Sequence, residues 1–283
     1  MENLYGVVVI YNPEKEVIKN IRTYLPYLKK LYVMDNSERM NESCIENLCK
    51  ISNKIEYKFF NCNMGIAYPI NWVMKQLKED DWLLTMDQDS YFYEGTFSEY
   101  INVLPKLKDD VYAITPKIIY KNIFNLNKTE EIQLKKVSKC IQSGAVFSVR
   151  IGKIVDGFNE NFFIDAVDTE YCYKCNKNGY ILYQNDSGVL IHKLGNKINN
   201  IKTKWLPFVL RQHNALRRYY IIRNNLYLKD YYPDKKIRIM IYLFVGIVKI
   251  VLFDDDVKAK IKYIIKAYKD YKNNIVGKLK GKM

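Results

Sequence analysis

WLLTMDQDS, residues 82–90, decides the predicted fold, because an apolar run ends directly in two aspartates separated by one residue. A short, uninterrupted apolar run is typical of a strand that is buried on both faces of a sheet. Three strands are predicted earlier in the chain, at residues 4–11, 31–34 and 55–60, and the first two are similar apolar runs. Helical spacing of apolar residues follows two of them, around residues 14–28 and 66–77. This alternation predicts an α/β fold with a parallel sheet covered by helices.

The second half of the chain is predicted to mix strands and helices. Residues 115–120, 142–149 and 189–194 have the composition of extended segments, and residues 168–178 have helical spacing. At 283 residues, the chain suits one large domain with an appendage.

Charge divides the chain near Ile201. Residues 1–201 carry 25 basic and 25 acidic side chains, whereas residues 202–283 carry 20 basic and 6 acidic ones. The whole net charge of +14 therefore lies in the second part. We predict an α/β catalytic domain at residues 1–201 and a basic, helical C-terminal region at residues 202–283.

The basic region predicts an anionic partner, either nucleic acid or the anionic face of a membrane. Its longest uncharged stretch, residues 239–248, is far shorter than the roughly 20 residues that span a bilayer. Residues 257–272 combine an apolar helical face with many lysines, which suits a helix in the membrane interface or one packed on its own domain. No helix-turn-helix, zinc-finger or RNA-binding motif accompanies the charge, so we expect no nucleic acid partner; a basic nucleic-acid-binding protein is the rival class.

The N-terminal sequence and the cysteines predict a cytoplasmic location. The sequence MENLYGVVVIY, residues 1–11, has no positive leader or cleavage site, so we expect no secretory signal. The six cysteines are expected to be reduced thiols. Cys172 and Cys175 form one CxxC pair inside a predicted helix, and one such pair cannot complete a tetrahedral zinc site.

Polar residues follow the predicted strands at the edge where α/β sheets bind ligands. Asp87 and Asp89 offer carboxylates that suit Mg²⁺ or Mn²⁺, although such pairs also occur in plain turns. Asp35 is placed to accept hydrogen bonds from a ribose or base, or to form an Asx turn. Gly65 allows close approach of a phosphate at a helix N-terminus, or simply belongs to a turn.

The chain resembles the inverting family 2 glycosyltransferases, and within them the bacterial rhamnosyltransferase-like branch. The resemblance covers nearly the whole chain and is carried by these segments in order: VVVIYNP (7–13), VMDNS (33–37), NMGIAYPIN (63–71), WLLTMDQDS (82–90), QSGAVFSVR (142–150), VDGFNENFFIDAVDTEYCYK (155–174), LIHKLGN (190–196) and RRYYIIRNN (217–225). It implies the GT-A fold of nucleotide-diphospho-sugar transferases, a Rossmann-like mixed sheet flanked by helices, here with a basic helical C-terminal extension.

The resemblance also implies how the sugar donor is bound. Tyr11, Asn12 and Asp35 would hold the nucleoside, and Gly65 would border its site. Arg223 lies where some members of the family steady the diphosphate.

A metal site is implied by the same resemblance. Asp87 and Asp89 would bind Mn²⁺ or Mg²⁺ beside the donor, with Asp89 as the direct ligand, and His192 resembles a histidine that reaches the metal or the diphosphate. From the residues alone, the favoured interpretation of His192 is a histidine whose hydrogen bonds are satisfied on a partly buried strand.

The general base implied by the resemblance is Asp168. Where the family commonly has Glu-Asp, this chain has Val167-Asp168, as the rhamnosyltransferase-like members do. Neighbouring carboxylates could raise the pKa of this base, although each acid also suits the N-terminus of a helix. The acceptor side would be formed by four residues: Ser143, Gly144, Asp165 and Glu170.

The implied enzyme is a metal-dependent inverting glycosyltransferase of bacterial cell-surface polysaccharide synthesis. It would move L-rhamnose from dTDP-rhamnose to a hydroxyl of a lipid-linked glycan, as a peripheral protein on the anionic inner face of the cell membrane. The donor could instead be a UDP-hexose or UDP-galactofuranose, and the sequence leaves a homodimer open. A glycosyltransferase-like protein without activity is a further alternative.

Overall fold

The computed structural model describes residues 3–120, 134–192 and 213–281. The strands of these residues are β1 (Leu4–Ile10), β2 (Lys30–Asp35), β3 (Ile55–Phe59), β4 (Trp82–Asp87), β5 (Tyr91–Phe92), β6 (Val111–Tyr120), β7 (Leu134–Val137), β8 (Val146–Ser148) and β9 (Ile181–His192). The helices are α1 (Glu16–Arg22), α2 (Glu42–Cys49), α3 (Ala67–Gln76), α4 (Thr96–Ile101), α5 (Val149–Ile154), α6 (Val167–Lys177), α7 (Ala215–Tyr231), α8 (Lys236–Phe253) and α9 (Val257–Lys272).

Two compact units contain these elements. The first is drawn from residues 1–159 and 168–193, and the second from residues 160–167 and 194–283. The predicted domain boundary near residue 201 lies outside the described residues and stays a prediction. The sequence did not predict that residues 160–167 join the helical unit.

The first unit is built on the predicted parallel sheet. β3, β2, β1 and β4 lie side by side in that order, and all three neighbouring pairs are parallel. Their apolar side chains pack with those of α1, α2 and α4 into one buried core. The α/β prediction is therefore confirmed, because continuous apolar runs can be buried only between layers.

The rest of the sheet is mixed. β8 pairs antiparallel with both β4 and β6, β6 runs parallel to β9, and β5 and β7 pair antiparallel with β9. The strand predicted at residues 189–194 begins earlier, at Ile181, because its polar first half pairs with β6 and β7. The strand predicted at residues 142–149 is limited to β8, because a turn with Gly144 at φ +82° precedes it.

The helix predicted around residues 14–28 is shorter than expected. α1 ends at Arg22, and residues Leu25–Tyr27 form a separate 3₁₀ turn with Pro26 in it. Proline cannot donate the backbone hydrogen bond that would continue an α-helix. α6 does contain Cys172 and Cys175, as the sequence predicted, and both are free thiols.

The second unit is helical. α9 packs along α7, where Tyr219 donates a 2.7 Å hydrogen bond to Asp270. At the start of α9, Lys260 forms a 2.8 Å ion pair with Asp254, and both side chains are only 2% exposed. α9 therefore packs on α7 within this unit, and a membrane contact of residues 257–272 stays a prediction. No helix within the described ranges is long and apolar enough to cross a membrane.

Asn224 of α7 ties residues 160–167 into this unit. Its side-chain amide donates hydrogen bonds of 2.8 and 2.9 Å to the carbonyls of Ile164 and Asp165. Its carbonyl accepts from the guanidinium of Arg223. Asp165 and Ala166 both have φ +63°, a conformation that is costly for side chains other than glycine. Asn224 therefore stabilises a strained segment.

We expect Asn224→Ala to lower the free energy of unfolding by about 1–3 kcal/mol, because buried carbonyls would lose their donor. Denaturant unfolding measures this change. The matched control is Asn225→Ala, since the Asn225 amide bonds one turn back to Ile221 of the same helix. Equal losses for the two variants would contradict the role of Asn224.

Candidate functional site

Three potential metal ligands come together at one end of β4. Asp87 is the last residue of that strand, Asp89 follows in the next turn, and His192 ends β9. One ligand atom from each residue lies within 4.8 Å of the others, and each side chain is half-buried. β5 pairs with the end of β9, which carries His192 to the aspartates. Two carboxylates and one imidazole suit Mn²⁺, and the carboxylates also suit Mg²⁺.

Neighbouring side chains hold these ligands in place. The Gln142 amide donates to the Asp87 carboxylate, and the Asp87 backbone N–H donates to Ser143 Oγ at 3.1 Å. Ser90 Oγ is 2.6 Å from His192 Nδ1. Metal-binding histidines usually have such a partner on one ring nitrogen, which orients the ring. Sequence reasoning missed Gln142 and Ser90; only Ser90, beside the Asp-x-Asp motif, had a local signal.

We expect Ser90→Ala to weaken metal affinity by about 10–100-fold, the usual cost of losing a partner of a liganding histidine. Calorimetric titration of Mn²⁺ into the protein measures the effect. Ser98→Ala is the matched control, because Ser98 bonds locally to the Gly95 carbonyl on α4. Unchanged Mn²⁺ affinity in Ser90→Ala would argue against His192 as a ligand.

The loop after β1 is bonded to the Asp-x-Asp turn. The Tyr11 N–H donates to Gln88 Oε1 at 2.8 Å, and Gln88 Nε2 donates to the Tyr11 carbonyl at 3.1 Å. Gln88 is the residue between the two aspartates. Asn12 has φ +47°, and its N–H donates to Ser37 Oγ at 2.7 Å. The structure thus brings the predicted nucleoside residues of this loop to the metal cluster.

Asp35 is fully buried, and each of its two carboxylate oxygens accepts a hydrogen bond from a nearby residue. Its Oδ1 accepts from the Ser37 N–H at 2.8 Å, which is the predicted Asx turn. Its Oδ2 accepts a 2.7 Å hydrogen bond from the Tyr57 hydroxyl. Burial, followed by the bond to Asp35, raises the pKa of Tyr57. Contact between Asp35 and a nucleoside stays a prediction.

Gly65 lies in the adjacent loop after β3. Its φ of +80° lies in the left-handed region, which favours glycine. The Asn36 side chain donates to the Gly65 carbonyl at 2.7 Å and accepts from the Met64 N–H at 3.3 Å. The loops after β1, β2 and β3 are therefore joined by hydrogen bonds, and contact between Gly65 and a nucleoside stays a prediction.

Ser143 and Gly144 form the turn beneath Asp87. Ser143 is fully buried, and the Gly144 N–H donates to the Thr85 carbonyl at 2.8 Å. A Cβ on Gly144 would come within 2.9 Å of Leu190, so only glycine fits. Ser143 supports Asp87 through its hydroxyl, and contact of Ser143 or Gly144 with an acceptor stays a prediction.

The three predicted carboxylates have different surroundings. Asp168 lies half-buried in the first turn of α6, where its Oδ1 accepts from the Thr169 N–H at 2.7 Å. Glu170 is buried and lies 3.7 Å from the Lys174 ammonium. Asp165 belongs to the second unit, where it forms a 3.2 Å ion pair with Arg217. Burial raises the pKa of Asp165, and Arg217 opposes that shift.

Arg223, also in the second unit, is fully buried. Its guanidinium donates to the Tyr219 hydroxyl and the Asn224 side chain, at 3.1 Å each, and lies over the rings of Tyr219 and Tyr220. The predicted diphosphate contact would require it to leave these partners, and it stays a prediction.

Comparison with solved structures shows that this protein has a GT-A-like fold. The crystal structure of GalNAc-T7 with UDP, GalNAc and Mn²⁺ is similar over 97% of this chain and 56% of that chain, with a TM-score of 0.63 and 11% identity. The chain thus spans little more than half of GalNAc-T7. The structure of residues 1–349 of S. aureus TarS with UDP-GlcNAc is similar over 94% of this chain and 71% of that chain, with a TM-score of 0.55 and 13% identity.

Sequence comparison shows the family. Residues 7–156 match glycosyl transferase family 2. The dTDP-rhamnosyl transferase RfbF of Shigella flexneri is 30% identical over 250 residues, which cover 82% of each chain. The chain belongs to glycosyl transferase family 2 and is a glycosyltransferase, as the sequence motifs predicted.

Proposed function

We propose that this protein is a metal-dependent inverting glycosyltransferase that transfers L-rhamnose from dTDP-rhamnose to a hydroxyl group of a lipid-linked glycan. The observation that carries the proposal is the cluster of Asp87, Asp89 and His192, bonded through Gln88 to the Tyr11 loop. Cluster and loop together offer a site for a metal and for a nucleoside diphosphate. Tyr11, Asn12, Asp35 and Gly65 form the proposed nucleoside side of this site.

The proposed reaction is a single displacement at C1 of the sugar. The acceptor oxygen forms a bond to C1 as the bond from C1 to the nucleoside diphosphate oxygen breaks, which inverts the configuration at C1. Asp168 takes the proton of the acceptor hydroxyl, because one displacement needs one general base. A divalent cation held by Asp87, Asp89 and His192 would neutralise charge on the departing diphosphate. Ser143, Gly144, Asp165 and Glu170 belong to the proposed acceptor side.

The relative RfbF supports rhamnose as the donor sugar, since it matches over most of both chains. UDP-hexoses and UDP-galactofuranose are the competing donors, because an Asp-x-Asp motif contacts the diphosphate that all of them share. Donor choice depends on the sugar pocket.

Calorimetric binding of a nucleotide-sugar panel tests this proposal. The panel holds dTDP, UDP, GDP, CDP, dTDP-rhamnose and UDP-hexoses, each with Mn²⁺, with Mg²⁺ and with EDTA. We expect dTDP-rhamnose to bind most tightly, and only with a metal present. Preference for a UDP-sugar would overturn the rhamnosyl assignment, and absence of any metal-dependent binding would overturn the proposed site.

The proposed acceptor places the enzyme at the anionic inner face of the cell membrane. The charge asymmetry supports this, because residues 202–283 hold the entire positive excess of the chain. Two measurements on the same protein distinguish this location from the nucleic-acid-binding alternative: co-sedimentation with anionic vesicles, and binding to RNA. Salt-sensitive binding to RNA without vesicle binding would favour that alternative.

A further inference from the structure

α8 is apolar on two opposite faces. Ile239, Leu243 and Ile250 are buried on one face, at 4%, 5% and 1% exposure. The opposite face exposes a row of apolar side chains, the α8 stripe: Ile237, Met240, Ile241, Phe244, Val245, Val248, Val251 and Leu252. A helix that only packs on its own domain has one apolar face.

The α8 stripe is continuous along the helix. Its members follow one another at intervals of one or three residues, which places them on one side of an α-helix. Ile237 and Phe244 are the most exposed, at 78% and 68%. Single exposed apolar residues are ordinary, but a contiguous row of them marks a surface that contacts an apolar partner.

Positive charge borders the stripe. Lys236, Arg238 and Lys249 are exposed on α8, and the helix contains no acidic residue. Lys236 lies at one edge of the stripe and the other two lie at the opposite edge, by helical periodicity. Aspartates 254–256 follow the helix, and Asp254 is neutralised by its buried ion pair with Lys260. An apolar face with cationic borders is the pattern of a helix that lies in the interface of an anionic membrane.

A second copy of the chain fits this face less well. In a two-fold dimer the same surface would meet itself, which would place the basic borders of both copies near one another. Like charges brought together in this way repel. An anionic lipid surface instead complements the three basic side chains and takes up the apolar row.

We propose that the α8 stripe docks the protein on an anionic lipid bilayer, with α8 lying in the plane of the membrane interface. This assigns the membrane contact to α8, whereas the sequence had offered residues 257–272 as one candidate for it. The proposal names the surface that makes the membrane contact of the proposed function. It rests on that function only for its biological setting. Vesicle binding can be measured without any glycosyl transfer, so the two can fail separately.

The test is co-sedimentation of the full chain with vesicles of phosphatidylcholine alone or mixed with phosphatidylglycerol. We expect binding to the mixed vesicles, and expect the double variant Ile237→Glu with Phe244→Glu to reduce partitioning by at least about tenfold. Ile154→Glu is the matched control, since Ile154 is 64% exposed on α5 of the first unit. Donor binding by calorimetry should be equal in all three proteins and reports that they are folded.

Two outcomes would overturn the proposal. Equal vesicle binding by the wild type and the double variant would exclude the α8 stripe as the contact. A wild type that fails to bind vesicles, sediments as a dimer and becomes monomeric in the double variant would assign the stripe to a second copy.

Arg238→Gln with Lys249→Gln should reduce binding to the mixed vesicles specifically, because these side chains supply the attraction to anionic lipid.

Discussion

Asp168→Asn is expected to lower turnover by about 10²–10⁴-fold, the range associated with loss of a general base. Asparagine keeps the shape of the side chain and its bond from the Thr169 N–H, but it cannot take a proton from an acceptor hydroxyl. Donor binding should be unchanged, because the change leaves the metal ligands in place. Steady-state kinetics and calorimetric donor binding on the same preparations measure both quantities.

Asp165→Asn is the informative comparison for this variant. Both oxygens of the Asp165 carboxylate accept from the Arg217 guanidinium, so they are less accessible to an acceptor hydroxyl. We expect Asp165→Asn to retain most of its turnover. Full activity in Asp168→Asn together with loss of activity in Asp165→Asn would transfer the role of base to Asp165.

Asp89→Ala is expected to weaken metal-dependent donor binding by more than about 100-fold, since loss of even an outer partner of a metal ligand costs 10–100-fold. Metal binding weakens because the variant loses one of two carboxylates, whose oxygens lie within 4.8 Å of each other and of a ring nitrogen of His192. Asp87 is held by Gln142 and should remain in place, so residual binding at high metal concentration is expected.

Titration of Mn²⁺ in the presence of the donor measures this effect. Asp109→Ala is the control, because Asp109 is an exposed carboxylate paired with Arg150 on the surface. An unchanged Mn²⁺ titration in Asp89→Ala would refute the assignment of Asp89 as a ligand. Addition of EDTA to the wild type should lower donor affinity at least as far as the substitution does.

Much of the first unit could be predicted because its signals are local. β1, β2 and β4 contain apolar runs and β3 alternates apolar with charged residues, so each strand and the polar residues after it could be identified without knowing their neighbours. The short strands β5 and β7 lacked such a signal. Two to four residues carry too little periodicity to distinguish a strand from a loop.

The surroundings of the site residues were less accessible to sequence reasoning. Asp35 accepts from the Tyr57 hydroxyl on β3, and this contact between two strands has no local signature. Residues 257–272 do form an amphipathic helix, α9. Two of its charged residues are nevertheless buried: Lys260 pairs with Asp254, and Asp270 accepts a hydrogen bond from the Tyr219 hydroxyl. Helical spacing tells which residues share a face, but the neighbouring elements decide which face is covered.

The sequence by itself determined the parallel half of the sheet, the Asp-x-Asp pair at the end of β4 and the basic character of residues 202–283, because composition and periodicity are properties of neighbouring residues. Tertiary structure alone decided that Gln142 and Ser90 support the metal cluster and that Asn224 holds residues 160–167. It also decided which face of α8 stays exposed. These features depend on burial and on pairings between distant residues, which exist only once the chain has folded.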